Sequence, residues 1–251
     1  MKKVIIGDVH GCYEELLSLL DQLKINLSVD KLIFVGDLID RGQDSFKVLQ
    51  LIKSLKEKNP ENIVYLRGNH EQMMLDCVLH NTDYNWLRNG ADATMASFDD
   101  VDLMLETAKW IECNTVFYYE DPQFIAAHAF YDESYLSSPF LIDRMIWDRT
   151  HLERNLYSGK LLIIGHTPLK SPIYQIAEGT ISPIILPYNM EMDIPQNGMI
   201  DLDTACTFGN KLTAMIIEDD KFYLAKEEAF LHPRTYKSNA CRNNEQKKGV
   251  A

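Results

Sequence analysis

The chain has 251 residues, 46% hydrophobic and 25% charged, and a formal net charge of −12, proportions that suit a globular protein with a sizeable core. That charge argues against a general affinity for nucleic acid or anionic lipid, and no run approaches the roughly 20 apolar residues that span a bilayer. Five cysteines, Cys12, Cys77, Cys113, Cys206 and Cys241, stand singly without a C-x-x-C pair, which speaks for reduced thiols in a cytoplasmic protein and against a disulfide framework.

Met1-Lys2-Lys3 followed by residues 4–6 has the charge of a signal peptide, but the apolar run is too short and Asp8 and His10 interrupt it. It reads as the first strand. Residues 4–6, 32–35, 63–66, 124–127 and 161–164 are apolar runs without strict alternation, the pattern of strands buried on both faces. Between the first three, Leu16, Leu19, Leu20 and Leu23 share one helical face, and Val48, Leu51, Ile52 and Leu55 share another. Asp44-Ser45 offers an N-cap to the second helix and Asn59-Pro60 closes it. This βαβαβ start predicts a parallel sheet with right-handed crossovers.

From Glu71 to Asn114 the spacing is mostly helical, with Met and Leu stripes that read as core. The proline-punctuated stretch 173–197 lacks periodicity and reads as a long loop or hairpin over a site. Residues 199–202, 212–217 and 222–225 then resemble strands, with Glu218-Asp219-Asp220-Lys221 as a hairpin turn. They predict a second, more antiparallel sheet. The boundaries expected are one catalytic domain over 1–231 and a polar, solvated tail over 232–251.

Ligands gather outside the carboxyl ends of parallel strands, and five turns follow strand-like runs here. They are Gly7-Asp8-Val9-His10-Gly11, Gly36-Asp37-Leu38-Ile39-Asp40-Arg41-Gly42, Leu66-Arg67-Gly68-Asn69-His70-Glu71, Ala127-His128-Ala129 and Gly165-His166-Thr167-Pro168. Any one of them alone would be an ordinary turn or a core histidine. Together they carry four of the seven histidines, while His80, His151 and His232 have no such context. Asp8, His10, Asp37, Asn69, His128 and His166 supply carboxylate, imidazole and amide oxygen without thiolate. That donor set suits Mn²⁺, Fe²⁺ or Zn²⁺. Six ligands exceed one four-coordinate site and fit two divalent ions sharing Asp37, with positions left open for water and substrate.

These five blocks, in this order, resemble the metal-dependent phosphoprotein phosphatases, within the metallophosphoesterases and nearest to compact bacterial and bacteriophage forms. The resemblance covers roughly residues 4–217. It implies an α/β fold, a sandwich of two mixed sheets flanked by helices. It implies that Asp8, His10 and Asp37 hold one ion and Asp37, Asn69, His128 and His166 the other, with Mn²⁺ the leading candidate. It further implies in-line attack by a metal-bridging hydroxide. His70 would be the general acid, Asp40 its orienting carboxylate, and Arg41 and Arg149 the phosphate clamp, with Asn69 also touching the phosphate.

The implied activity is a hydrolase acting on phosphorylated proteins or small phosphoesters, foremost a serine/threonine protein phosphatase. The rival enzyme is a symmetrical dinucleoside polyphosphate hydrolase, which shares most blocks but tends to lack the Asp40 equivalent. A non-catalytic binding protein on the same scaffold ranks below both, because His70 and every ligand are present. Arg67 is left outside the site as a structural partner for Glu71, and Asp203-Thr204 are given no role.

Overall fold

The computed structural model describes residues 1–82, 84–150, 157–176 and 182–230. Its strands are β1 (Lys3–Ile6), β2 (Lys31–Phe34), β3 (Ile63–Tyr65), β4 (Tyr118–Glu120), β5 (Phe124–Ala127), β6 (Leu161–Ile164), β7 (Ile173–Gln175), β8 (Ile184–Ile185), β9 (Met192–Asp193), β10 (Met199–Asp201), β11 (Lys211–Glu218) and β12 (Lys221–Glu228). They form two sheets, ordered β3-β2-β1-β11-β12-β9 and β4-β5-β6-β10-β7-β8. β1, β2 and β3 are parallel neighbours, as are β5, β6 and β10. The result is the α/β sandwich of two mixed sheets that the sequence predicts.

The missing alternation in the early strands has a packing cause. Val4, Ile6, Leu32 and Phe34 face the helices, whereas Ile5, Ile33 and Val35 face the second sheet and share a core with its Phe124, Ile163 and Ile200. Both faces are dry, so neither carries polar residues. Helix α1 (Tyr13–Leu23) buries Leu16, Leu19 and Leu23, and α2 (Ser45–Lys58) buries Val48, Leu49 and Ile52. Asp44 stands at the cap of α2 but makes no side-chain cap bond; it pairs with Lys47 at 2.8 Å instead. Helix α3 (Asn69–Leu75) runs into a π turn over Asp76–His80. Beyond it lie a short 3₁₀ turn (Asn85–Arg88), α4 (Ala91–Ser97) and α5 (Val101–Asn114). No helix of the described residues is long and apolar enough to cross a membrane.

Two expectations are corrected. The late strands do not make a separate antiparallel sheet: β11 pairs with β1 and extends the first sheet, while β10 joins the second sheet beside β6. β11 is buried from Leu212 to Ile217 and carries one polar residue there, Thr213, so it can sit centrally, covered on both sides. Of the loop or hairpin expected over 173–197, the hairpin is present, β7 pairing antiparallel with β8, but the stretch is built into the sheets. Its described residues include β7, β8 and β9, and Leu186 and Tyr188 pack against the core between the sheets. It carries the chain from one sheet to the edge of the other. The polar tail 232–251 lies outside the described residues.

Candidate metal centre

Parallel pairing brings the carboxyl ends of β1, β2 and β3 to one edge, and β5 and β6 deliver their turns to the same place. The turns are tight. His10, Asp37, Asp40, Arg41 and His166 all have φ between 47° and 73°, a left-handed conformation that non-glycine residues adopt at a cost and that concentrates at functional sites. Glycines flank the carboxylates because nothing larger fits. A Cβ on Gly165 would strike Asp8 Oδ1, and one on Gly68 would strike Asp37 Oδ1.

All six expected ligands are buried. The orientation of the imidazoles follows from their partners, since a carbonyl can only accept. His10 Nδ1–H donates to the Ile39 carbonyl at 2.7 Å, and His128 Nδ1–H donates to that of Val35 at 2.8 Å. In the neutral ring each Nε2 then turns a lone pair inward. That of His128 lies 3.1 Å from Asn69 Oδ1, 3.2 Å from His166 Nδ1 and 3.4 Å from Asp37 Oδ1. That of His10 lies 3.5 Å from Asp37 Oδ2 and takes a donor from Arg41 Nη1 at 2.6 Å. Buried His166 Nε2 has no partner among the described residues. Acceptors pointed at acceptors in a dry space repel unless a cation sits among them. Among the described residues three groups meet the spacing of a metal site; Cys12–Glu15–Cys206 lies outside these turns, while His10–Asp37–His70 and Asp37–His128–His166 share Asp37. The residues fit divalent metal.

The electrostatics agree. Burial, reinforced by Asp203 and Asp37, pushes the Asp8 carboxyl well above its ordinary range. Burial would raise Asp37 as well, but His128 and His70 outweigh it and hold that carboxyl well down. His166 is driven down to about 2 by burial and by His128, which keeps its ring neutral and able to ligate. His128 is raised, because Asp37 overcomes its burial.

His70 lies within reach of His10 and Asp37 but has a carboxylate partner of its own. Its Nδ1 is 2.6 Å from Asp40 Oδ2, and its Nε2 is 3.9 Å from Asp37 Oδ2. Asp40 is fully buried and takes hydrogen bonds from Trp86 Nε1 (2.9 and 3.0 Å) and from Thr94 Oγ1 (2.6 Å). The carboxylate is thus fixed before it fixes the imidazole. Arg41 also stacks on Phe208, its guanidinium carbon 5.5 Å from the ring centre. Arg149 donates to Thr167 Oγ1 at 3.1 Å, next in the chain to His166.

Sequence reasoning missed several supporting residues. Arg67 does not hold Glu71; it bonds Thr115, Gln72 and the Glu112 carbonyl. Buried Glu71 instead accepts from the backbone N–H groups of Asp37, Leu38 and Gly68 at 2.8–2.9 Å, tying the second turn to the third. Its place in the block Gly68-Asn69-His70-Glu71 was the available signal. Trp86 and Thr94 had none, being 46 and 54 residues from Asp40. Asp201 ends β10 and Asp203 follows it, at a strand end like the others. Burial raises both carboxyls, Asp203 to about 6.

Comparison with known proteins agrees with this geometry. Residues 1–192 match the model of the calcineurin-like phosphoesterases. Serine/threonine-protein phosphatase 1 of Salmonella typhimurium is 31% identical over 181 residues, 66% of this chain and 78% of that protein. The asymmetrical bis(5'-nucleosyl)-tetraphosphatase PrpE of Anoxybacillus flavithermus is 28% identical over 243 residues, 84% and 88% of the two chains. A metallophosphoesterase from Sphaerobacter thermophilus superposes with a TM-score of 0.59 at 16% identity, over 92% of this chain and 90% of that one. That last likeness speaks to the fold.

Proposed function

The chain belongs to the calcineurin-like phosphoesterase family, and we propose on that premise that it is a phosphomonoester hydrolase whose substrates are phosphoserine and phosphothreonine in proteins. Asp8, His10 and Asp37 would hold one divalent ion and Asp37, Asn69, His128 and His166 a second, with Mn²⁺ foremost and Fe²⁺ or Zn²⁺ compatible with the same donors. The ions supply charge to the phosphoryl oxygens and lower the pKa of a water toward neutrality.

The remaining work falls to the chain's own side chains. Arg41, bonded to His10, and Arg149, bonded to Thr167, present rigid forks of donors to the phosphate oxygens. Asn69, at the start of α3, offers its amide to the same oxygens. His70 gives a proton from Nε2 to the departing serine or threonine oxygen, while Asp40 accepts from Nδ1–H and fixes the ring. No serine or cysteine nucleophile is required, so no phosphoenzyme should accumulate. The chain would act in the cytoplasm, where its thiols stay reduced.

The observation that carries this reading is the His70–Asp40 pair, 2.6 Å apart, buried and braced by Trp86 and Thr94 at the edge of the ligand cluster. A second reading, hydrolysis of dinucleoside polyphosphates, draws support from the nearly full-length likeness to PrpE. The two separate in one experiment: Mn²⁺-dependent turnover of a phosphothreonine peptide beside diadenosine tetraphosphate, with a chelated control. Faster phosphate release from the peptide is expected. Faster cleavage of the dinucleotide would transfer the chain to the second reading and remove Asp40 as a discriminator.

A further inference from the structure

A groove of about 610 Å³ opens beside Arg41, between the turns after β1 and β2 on one side and the 3₁₀ turn and α4 on the other. Its size falls within the roughly 300–1,000 Å³ of small-ligand pockets. Nothing in the chemistry above uses it. Because its wall includes Arg41 and Gly42, a phosphate held by Arg41 has the rest of its molecule at the mouth of this groove.

We infer that the groove is the subsite for the residues flanking the phosphorylated side chain of a peptide, and that Glu14 and Asp92 select a basic residue there. This rests on the phosphatase reading. The lining carries four carboxylates (Glu14, Glu15, Asp44, Asp92) against two guanidiniums (Arg41, Arg88). Glu15 is occupied by the Phe230 N–H and Asp44 by Lys47. That leaves Asp92 and Glu14, both exposed, the latter sharing the field of Lys47, as the carboxylates that meet a ligand. Such a wall repels the further phosphates of a polyphosphate chain and attracts a cationic side chain. The aliphatic stem of Lys or Arg has matching surface in Tyr13, Ala93 and Phe208. Phe208 is 61% exposed, too open to serve the core. Arg41 already lies over its ring, which leaves it poorly placed to stack a nucleobase.

The test compares kcat/KM for phosphothreonine peptides carrying Arg, Ala or Glu at the neighbouring positions, with p-nitrophenyl phosphate as a substrate that has no flanking residues. The Arg peptide should exceed the Ala peptide, and Glu14→Gln with Asp92→Asn should shrink that ratio about fivefold, near the ceiling for exposed ion pairs. Asp92→Lys should turn the preference toward the Glu peptide. A ratio indifferent to all three substitutions overturns the inference. So does an equal fall on peptides and p-nitrophenyl phosphate, which would assign the residues to the fold. Wild-type protein that cleaves diadenosine tetraphosphate and no peptide would instead sink the phosphatase reading, and this subsite with it.

Discussion

On the side of the first sheet, the turns after β1, β2 and β3 are bound to one another by their backbones. His10 and Gly11 N–H groups donate to the carbonyls of Asp37 and Leu38 at 2.9 and 2.8 Å, and Glu71 accepts three more N–H groups from the second and third turns. The turns after β5 and β6 reach that assembly through two histidines. His128 donates to the Val35 carbonyl, and the His166 N–H donates to the Asp8 carboxylate at 3.0 Å. One half of the site is therefore a self-supporting frame and the other is hung on it. The frame also carries the proposed acid and one phosphate arginine, so its rigidity bears on chemistry, whereas the hung half bears mainly on metal. Substitutions can separate the two.

The largest effect should come from His70→Asn, which leaves the frame standing and removes the proton donor. Turnover should fall by about 10²–10⁴-fold with the fold intact by circular dichroism. Next is Glu71→Gln, which replaces a charged acceptor of three backbone donors with an amide that has a single oxygen. A loss of about 2–3 kcal/mol is expected, visible as a fall of roughly 5–10 °C in thermal denaturation. An unchanged melting temperature would mean that the frame does not depend on this clamp.

Trp86→Phe is milder. It keeps most of the buried ring but removes a donor from Asp40, and should cost about 1 kcal/mol. Turnover should drop a few-fold and metal content should hold, which marks Trp86 as a positioning residue. A loss of metal would place its effect elsewhere.

The smallest effect is on pH dependence in the metal-free protein. Buried Asp203 has its carboxyl raised to about 6, so the native state holds a proton there that the unfolded chain has given up. Its contribution to stability is present below about pH 4 and is lost as pH rises to about 6. With a chelator present, the gap between wild type and Asp203→Asn should shift by a few degrees, in favour of the variant at neutral pH. A gap that does not change with pH would show that Asp203 does not titrate in this way.

The frame was legible in the sequence because its parts are local. Each of its strands is a short apolar run, each turn follows at once, and the helices between declare themselves by spacing. The sheet assignment of the later strands was not, since β11 finds its place by pairing Ile216 with Val4 and Met215 with Ile5, contacts that no local pattern encodes. The same holds for Trp86 and Thr94, which reach Asp40 only through the packing of α4 and the turn before it. The six expected ligands and the His70–Asp40 relation lay within the blocks themselves. Their partners did not.

The most direct test of the whole scheme is the metal stoichiometry of wild type and His70→Asn at saturating Mn²⁺, measured by inductively coupled plasma mass spectrometry after removal of free metal. Two ions per chain are expected in both proteins, because His70 serves the substrate and Asp37 joins the two groups of ligands. A single ion in the wild type, or loss of an ion in the variant, would contradict it: the first would dissolve the dinuclear site, and the second would make His70 a ligand.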